Sequence, residues 1–204
     1  MASKAIEIST IVVSPKQYQV SIEGTGAVIF DKMPDLSIVD NDKKKLDPIE
    51  REKLKWRKKL YYDGNDMIYI PGENLHESLK EGAKYWNQTI PGEGKKTYTN
   101  LIAAAVVVES LELGIHKDDK NIIAFGKMCN MNPSKGKKSG SKAYVIRPMI
   151  PPTWGGTFRM FSFDARLTKD VLKTILTFAG TFSAVGAWRP VYGRYKLVSI
   201  DEIS

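Results

Sequence analysis

The chain holds one cysteine, Cys129, and two histidines, His76 and His116, in 204 residues. A lone cysteine excludes an intrachain disulfide and a cysteine-rich zinc site. Two histidines leave little from which to build a histidine metal cage. No stretch approaches about 18 consecutive apolar residues, so no membrane-spanning helix is expected. The opening MASKAIEIST lacks the apolar segment of a secretory signal. These absences point to a cytoplasmic protein with no membrane contact and no cofactor.

Motif absences narrow the chemistry further. There is no G-x-x-x-x-G-K-[ST]; the GEGKK at 92–96 lacks the spacing and the hydroxyl that would hold magnesium. There is no G-x-S-x-G nucleophile elbow. His76 neighbours Glu77 on a helical stretch, but no second ligand stands at metal spacing. Cys129 has no partner signature and reads as an inert thiol. Asp31, Asp35, Asp40, Asp42 and the pair Asp118–Asp119 are loop carboxylates, which ordinarily solvate a chain rather than bind metal or act as a base.

What the chain does have is basic charge, 31 Lys+Arg against 23 Asp+Glu, a net of +8. That sum alone indicates an anionic partner only weakly; its placement says more. One cluster runs Lys43, Lys44, Lys45, Arg51, Lys53, Lys55, Arg57, Lys58 and Lys59. A second, Lys135, Lys137, Lys138 and Lys142, is interleaved with Gly and Ser and lacks periodicity, which predicts a flexible loop suited to phosphate contact. Arg189 and Arg194 form a sparse third.

Periodicity supplies the elements. Ala5–Val13 and Tyr18–Glu23 alternate as strands. Asp47 and Pro48 open a helix in which Leu46, Ile49, Trp56 and Leu60 form the apolar stripe opposite a Lys/Arg face, either solvated or laid along a phosphate backbone. Met67–Ile70 is a short strand ended by Pro71–Gly72. A helix follows from Glu73 or Asn74 to Trp86, its stripe Leu75, Leu79, Ala83 and Trp86. Asn100–Val108 reads as a short helix running into a buried strand that continues through Leu113. Ala143–Arg147 is a strand. Thr157–Phe163 alternates with Phe158 and Met160 on one side. Thr168 caps a helix with Asp170 in its first turn and Val171, Leu172, Ile175, Leu176 and Ala179 on its buried face, stopped by Gly180. Tyr192–Ile200 is the terminal strand. The order strand–helix–strand, strand–helix–strand predicts an α+β chain: a ferredoxin-like (RRM-like) βαββαβ core in a single domain over 1–204, with insertions at about 31–66 and 114–156.

Two segments carry most of the functional signal. In Tyr69-Ile70-Pro71-Gly72-Glu73-Asn74-Leu75-His76-Glu77-Ser78-Leu79-Lys80-Glu81-Gly82-Ala83, a strand stops, Pro-Gly turns and a helix begins with free amides, a place where anions bind. In Phe178 to Tyr195, FAGTFSAVGAWRPVYGRY, a helix enters a loop of glycines, arginines and aromatics; glycines let backbone approach closely, and arginines with aromatics offer phosphate pairing and base stacking.

Both segments resemble the RAMP superfamily, the ferredoxin-like RNA-binding proteins of CRISPR effector complexes. The first is similar to its "IPGSSLKGALR" segment, the second to its C-terminal glycine-rich loop ending in a "GYGR" type motif. Within that superfamily the chain most resembles the backbone subunits that polymerise along a guide RNA. The resemblance implies antiviral defence, guide-RNA binding, a helical homo-oligomeric filament with other effector subunits and a complementary target strand, and an insertion acting as a thumb between bases. Some such subunits cut target RNA with an aspartate after the first strand. Asp31 or Asp35 stands in that region with no motif to anchor the match, so no catalytic residue is assigned. The processing nucleases usually carry an N-terminal histidine, which is missing here.

The expected RNA contacts are Lys55, Lys58, Lys80, Lys84, Lys135, Lys137, Lys138, Lys142, Arg189 and Arg194 on phosphates. Trp188 and Tyr192 stack or wedge bases, or else pack in the core. Two other readings share these features: a phage or mobile-element single-strand nucleic-acid binder of the same fold, and an Asp-dependent metal endoribonuclease.

Overall fold

A computed structural model describes residues 14–33, 47–130 and 142–203. The expected strand at Ala5–Val13, the residues Leu46, Asp35, Asp40 and Asp42, and Lys135, Lys137 and Lys138 lie outside the described residues.

The alternation of Tyr18, Val20 and Ile22 produces β1 (Lys16–Gly24), with these three side chains buried. It pairs antiparallel with β8 (Gly155–Ser162) on one side and β9 (Tyr195–Ile203) on the other, and β4 (Val106–Val108) pairs antiparallel with β8. The strand order is β4-β8-β1-β9. Val20 stands opposite both Phe158 of β8 and Ile200 of β9, so one face of the sheet is apolar across its width.

Two helices complete the α+β core. α2 (Gly72–Trp86) buries Leu75, Ser78, Leu79, Gly82 and Ala83. α4 (Lys169–Phe178) buries Leu172, Ile175 and Leu176. Thr168 caps α4, its side chain accepting from the Val171 N–H, and Asp170 occupies the first turn, as expected. The order β1, α2, β4, β8, α4, β9 is the strand–helix–strand, strand–helix–strand series that the periodicity implies. Burying about 30 apolar residues at some 25 cal/mol per Å² is the main term holding these layers together.

The remaining elements elaborate this frame. β2 (Val28–Ile29), β7 (Lys142–Ile150) and β6 (Ile123–Asn130) form a second sheet, and β3 (Met67–Ile70) pairs with β5 (Leu111–His116) in a third. α3 (Tyr98–Ala105) runs directly into β4, so the Ala-then-Val reading of 100–108 holds. The strand does not continue through Leu113; Glu109 and Ser110 break it, and β5 leaves for a different partner. β6 escaped sequence reading altogether. The terminal strand starts at Tyr195, so Tyr192 belongs to the preceding loop.

α1 (Pro48–Lys55) begins as expected: the Asp47 side chain accepts from the Ile49 N–H at 2.8 Å, with Pro48 at the first helical position. Its faces follow the reading in part: Leu60 is fully buried and Trp56 packs against the core. Ile49 is exposed, while Lys59, in the 3-10 turn Trp56–Lys59, is only 8% exposed. Lys59 Nζ donates to Glu52 Oε2 at 2.6 Å and to the Ile146 carbonyl at 2.9 Å. Glu52 Oε2 also accepts from the Ile146 N–H. A lysine expected on a solvated face is therefore the tie between this segment and β7. No helix among the described residues is long and apolar enough to cross a membrane.

Candidate nucleic-acid interface

Past Phe178 the chain does not stop at Gly180. It widens into a π-helical turn, Ala179–Ser183, and then enters the loop 184–194. Gly180 sits inside the turn because a Cβ there would overlap the Tyr195 carbonyl. The loop runs in a constrained path. Ala184 and Trp188 take φ of 65° and 56°, Gly186 and Gly193 take 78° and 76°, and the Arg189–Pro190 peptide is cis. Left-handed backbone at a non-glycine residue costs on the order of 1 kcal/mol, so the surroundings must impose it.

They do so through the main chain. Val185 N–H donates to Gly193 O, Gly193 N–H to Ala27 O, and Ala187 N–H to Ile29 O, at 3.0, 2.7 and 2.7 Å. Thr25 and Gly26 both donate to Arg194 O. A Cβ at Gly193 would strike Val185 O, and one at Gly186 would come within 2.5 Å of Ile29 O. The close backbone approach expected of these glycines is made by the protein's own chain.

The same close approach occurs at Pro71–Gly72. Gly72 is buried, its N–H meets Ser110 Oγ at 3.3 Å, and a Cβ there would strike Val108 O. Gly72 is thus packed on the β4–β5 connection, while Pro71, Glu73, Asn74 and Ser110 line a cleft of about 480 Å³ beside it with Tyr61 and Tyr69.

With its backbone fixed, the loop holds Trp188 against the β6–β7 hairpin. The Phe125 ring of β6 meets Trp188 edge-on at 5.6 Å, and Tyr192 lies 5.6 Å from Phe125. The Arg147 guanidinium sits 4.3 Å from the Trp188 centroid and Lys127 Nζ 5.4 Å from it, both at cation–π distance. Arg147 also donates to Asp31 Oδ2 at 2.7 Å. Burial disfavours the Arg147 charge, but the hydrogen bond and the charge of Asp31 overcome that, so the guanidinium is held above its usual value.

Exposed cations surround this junction: Lys127 on β6, and Arg189 and Arg194 on the loop. Arg194 Nε donates to the Pro190 carbonyl at 3.0 Å, which fixes its stem. Lys80 and Lys84 lie on α2, each beside an acid three residues earlier: Lys80 Nζ is 2.9 Å from Glu77 and Lys84 Nζ is 3.5 Å from Glu81. The Lys80 hydrogen bond holds the Glu77 carboxyl below the usual carboxylate range; burial opposes this, and the charges of Lys80, His76 and Arg189 add to it. A cleft of about 360 Å³ between α2 and the loop is lined by Glu81, Tyr85, Phe182, Ser183, Trp188, Arg189 and Pro190.

Of the expected contacts, the structure thus gathers Lys80, Lys84, Trp188, Arg189, Tyr192 and Arg194 around α2 and one loop. Lys55 and Lys58 sit on the segment that Arg57 anchors to the Lys117 carbonyl and Lys59 to β7; no hydrogen bond or ion pair among the described residues links them to the loop. Lys142 opens β7, beyond whose start the Lys135–Lys138 stretch lies in sequence. Phe125, Lys127, Arg147 and Glu81 were not singled out. The first three depend on a hairpin whose β6 strand was not read. His76 Nε2 lies 3.3 Å from the Ile102 carbonyl, a packing role.

Comparison with solved structures gives a fold likeness. A chain in the cryo-EM structure of the type III-B Cmr-beta bound to cognate target RNA superposes with TM-score 0.55 and 15% identity, over 93% of this chain and 61% of that one. The present chain therefore spans about three fifths of that relative's length. The crystal structure of Cmr6 from Pyrococcus furiosus aligns with TM-score 0.48 and 12% identity, over 93% of this chain and 100% of that chain. No protein-family model and no curated protein sequence matches the chain. The likeness to the chain in the Cmr-beta complex shows a shared fold.

Proposed function

We propose that this chain is a non-catalytic RNA-binding subunit of a CRISPR-type ribonucleoprotein, holding single-stranded guide RNA and assembling in further copies along it beside other effector subunits in the cytoplasm. The observation that carries the reading is the junction of three elements at Trp188. A conformationally locked loop, the β6–β7 hairpin and α2 converge there, with exposed Lys127, Arg189 and Arg194 around half-buried Trp188 and Tyr192. Cations that track a backbone beside aromatic faces that accept bases are what a single strand requires. The Cmr-beta structure named above holds target RNA, and its fold likeness supports the same reading. Asp31, one of the two aspartates considered for RNA cleavage, is engaged by Arg147 at 2.7 Å, which favours a binding role over a cutting one.

The test is equilibrium binding of labelled single-stranded RNA over a salt series, with sequencing of whatever nucleic acid co-purifies. Each phosphate contact on a single strand adds about 0.7 to the slope of log K against log salt. Arg189→Ala should lower that slope by about that amount. A salt-insensitive affinity, or a monomer that never carries nucleic acid, would sink the proposal.

A further inference from the structure

The cleft between α2 and the loop contains one group that an RNA backbone would repel. Glu81 projects a carboxylate among Tyr85, Phe182, Trp188, Arg189 and Pro190. Its nearest cation, Lys84 Nζ, approaches Oε2 at 3.5 Å, the outer limit of a hydrogen bond, and the Glu81 side chain is 37% exposed. Tyr85 and Phe182 pack on each other at 5.6 Å and are themselves 54% and 47% exposed, so together they offer a broad aromatic floor rather than a filled core. A phosphate has no place beside Glu81, but it does beside Arg189 at the cleft's rim.

We infer that this cleft takes a single unstacked guanine base, with its Watson–Crick edge on Glu81, its ring on the Phe182–Tyr85 floor and its phosphate against Arg189. An ionised carboxylate only accepts hydrogen bonds. Guanine alone among the four bases presents two adjacent donors on that edge, N1–H and the N2 amino group, matching both carboxylate oxygens. Adenine and cytosine set a bare ring nitrogen next to their amino group, and uracil flanks its one N–H with two carbonyls; each would confront the carboxylate with a lone pair. Stacking on aromatic side chains is tolerant of sequence, so the floor supplies affinity and Glu81 supplies the choice of base. The inference rests on the RNA-binding reading and adds a base preference to it.

The experiment uses the full chain and four uridine-rich 12-mers: one all-uridine, and three with a single central guanosine, inosine or N1-methylguanosine. Guanosine should bind about tenfold more tightly than all-uridine, the size of one hydrogen bond to a charged group. Inosine, lacking the amino group, should fall between them, and N1-methylguanosine should lose the gain. In Glu81→Ala the guanosine preference should vanish, and in Glu81→Gln, whose amide keeps one acceptor oxygen, it should shrink, while all-uridine should bind both variants at least as tightly as wild type because the repelling carboxylate is gone. No guanosine preference in the wild type, or a preference that persists in both variants, overturns the base pocket and leaves RNA binding standing; this is also the outcome if the cleft receives a protein segment. Failure of every oligomer to bind overturns both readings.

Discussion

The Arg147 guanidinium lies face to ring with Trp188 at 4.3 Å while its Nη2 holds Asp31 at 2.7 Å. One side chain thus joins three separate stretches: the residues after β2, the hairpin and the glycine-rich loop. Arg147 is mostly buried, its side chain 14% exposed, so it acts as a strut for the indole.

Trp188→Ala should therefore act twice. Removing the indole forfeits its contacts with Phe125, Arg147 and Tyr192, a loss of roughly 2 kcal/mol for a half-buried aromatic with a cation–π partner. It should also weaken single-stranded RNA binding by about 1–3 kcal/mol if a base stacks there. Chemical unfolding and RNA titration on the same preparation separate the effects. Lost stability with unchanged affinity would reduce Trp188 to packing alone.

Two glycines with the same backbone angle isolate the effect of close approach. Gly92 and Gly193 have φ of 80° and 76°, but nothing lies within 4 Å of a Cβ at Gly92, whereas one at Gly193 meets Val185 O. Gly92→Ala should cost only the left-handed penalty, about 1–2 kcal/mol. Gly193→Ala should cost at least about 2 kcal/mol more, because the clash is with backbone. Equal midpoints in urea would mean that the loop relaxes freely.

The buried Lys59–Glu52 pair should be worth little as a pair and much when broken. Lys59→Met or Glu52→Gln alone leaves one charged partner uncompensated and should cost roughly 3 kcal/mol. The double variant should recover at least about 1 kcal/mol of the summed loss, since the glutamine oxygen can still accept from the Ile146 N–H. Strict additivity would show that the two side chains do not interact.

Much of this was legible. Tyr18, Val20 and Ile22, the stripes of α2 and α4, and the caps Asp47 and Thr168 are local signals, and each acts as its spacing says. β6 was not. Ala124, Gly126 and Lys127 carry weak strand propensity, and the strand exists because β7 pairs with it. Gly126 is there to make room for the Tyr144 ring. Lys59 misled for the same reason: its acceptor, Ile146, is remote in sequence. In the candidate site, Trp188, Arg189, Tyr192 and Arg194 were visible as one stretch. Phe125, Lys127 and Arg147 reach them only through tertiary packing.

Alkaline stability offers a check on the core. Burial pushes the Tyr195 hydroxyl up to about 12, against a hydrogen bond with Ser78 at 3.2 Å that lowers it. The folded state therefore keeps this proton where the unfolded chain, titrating near 10.0, has lost it. The contribution is complete below pH 10 and is lost as pH rises toward 12, by roughly 2–3 kcal/mol. Tyr195→Phe should flatten that limb. Burial also raises Tyr18, so some slope should remain. An unaltered limb would place Tyr195 in contact with solvent.

The glycine-rich loop is clasped by carbonyls and amides, and the outward-facing Arg189 and Val191 are not what hold its course. Shape and surface chemistry are thereby uncoupled at these two positions. A library randomised at both, with the glycines retained, should yield soluble chains of undiminished stability whose preferred ligands differ, making this stretch an interchangeable keyboard on a fixed chassis.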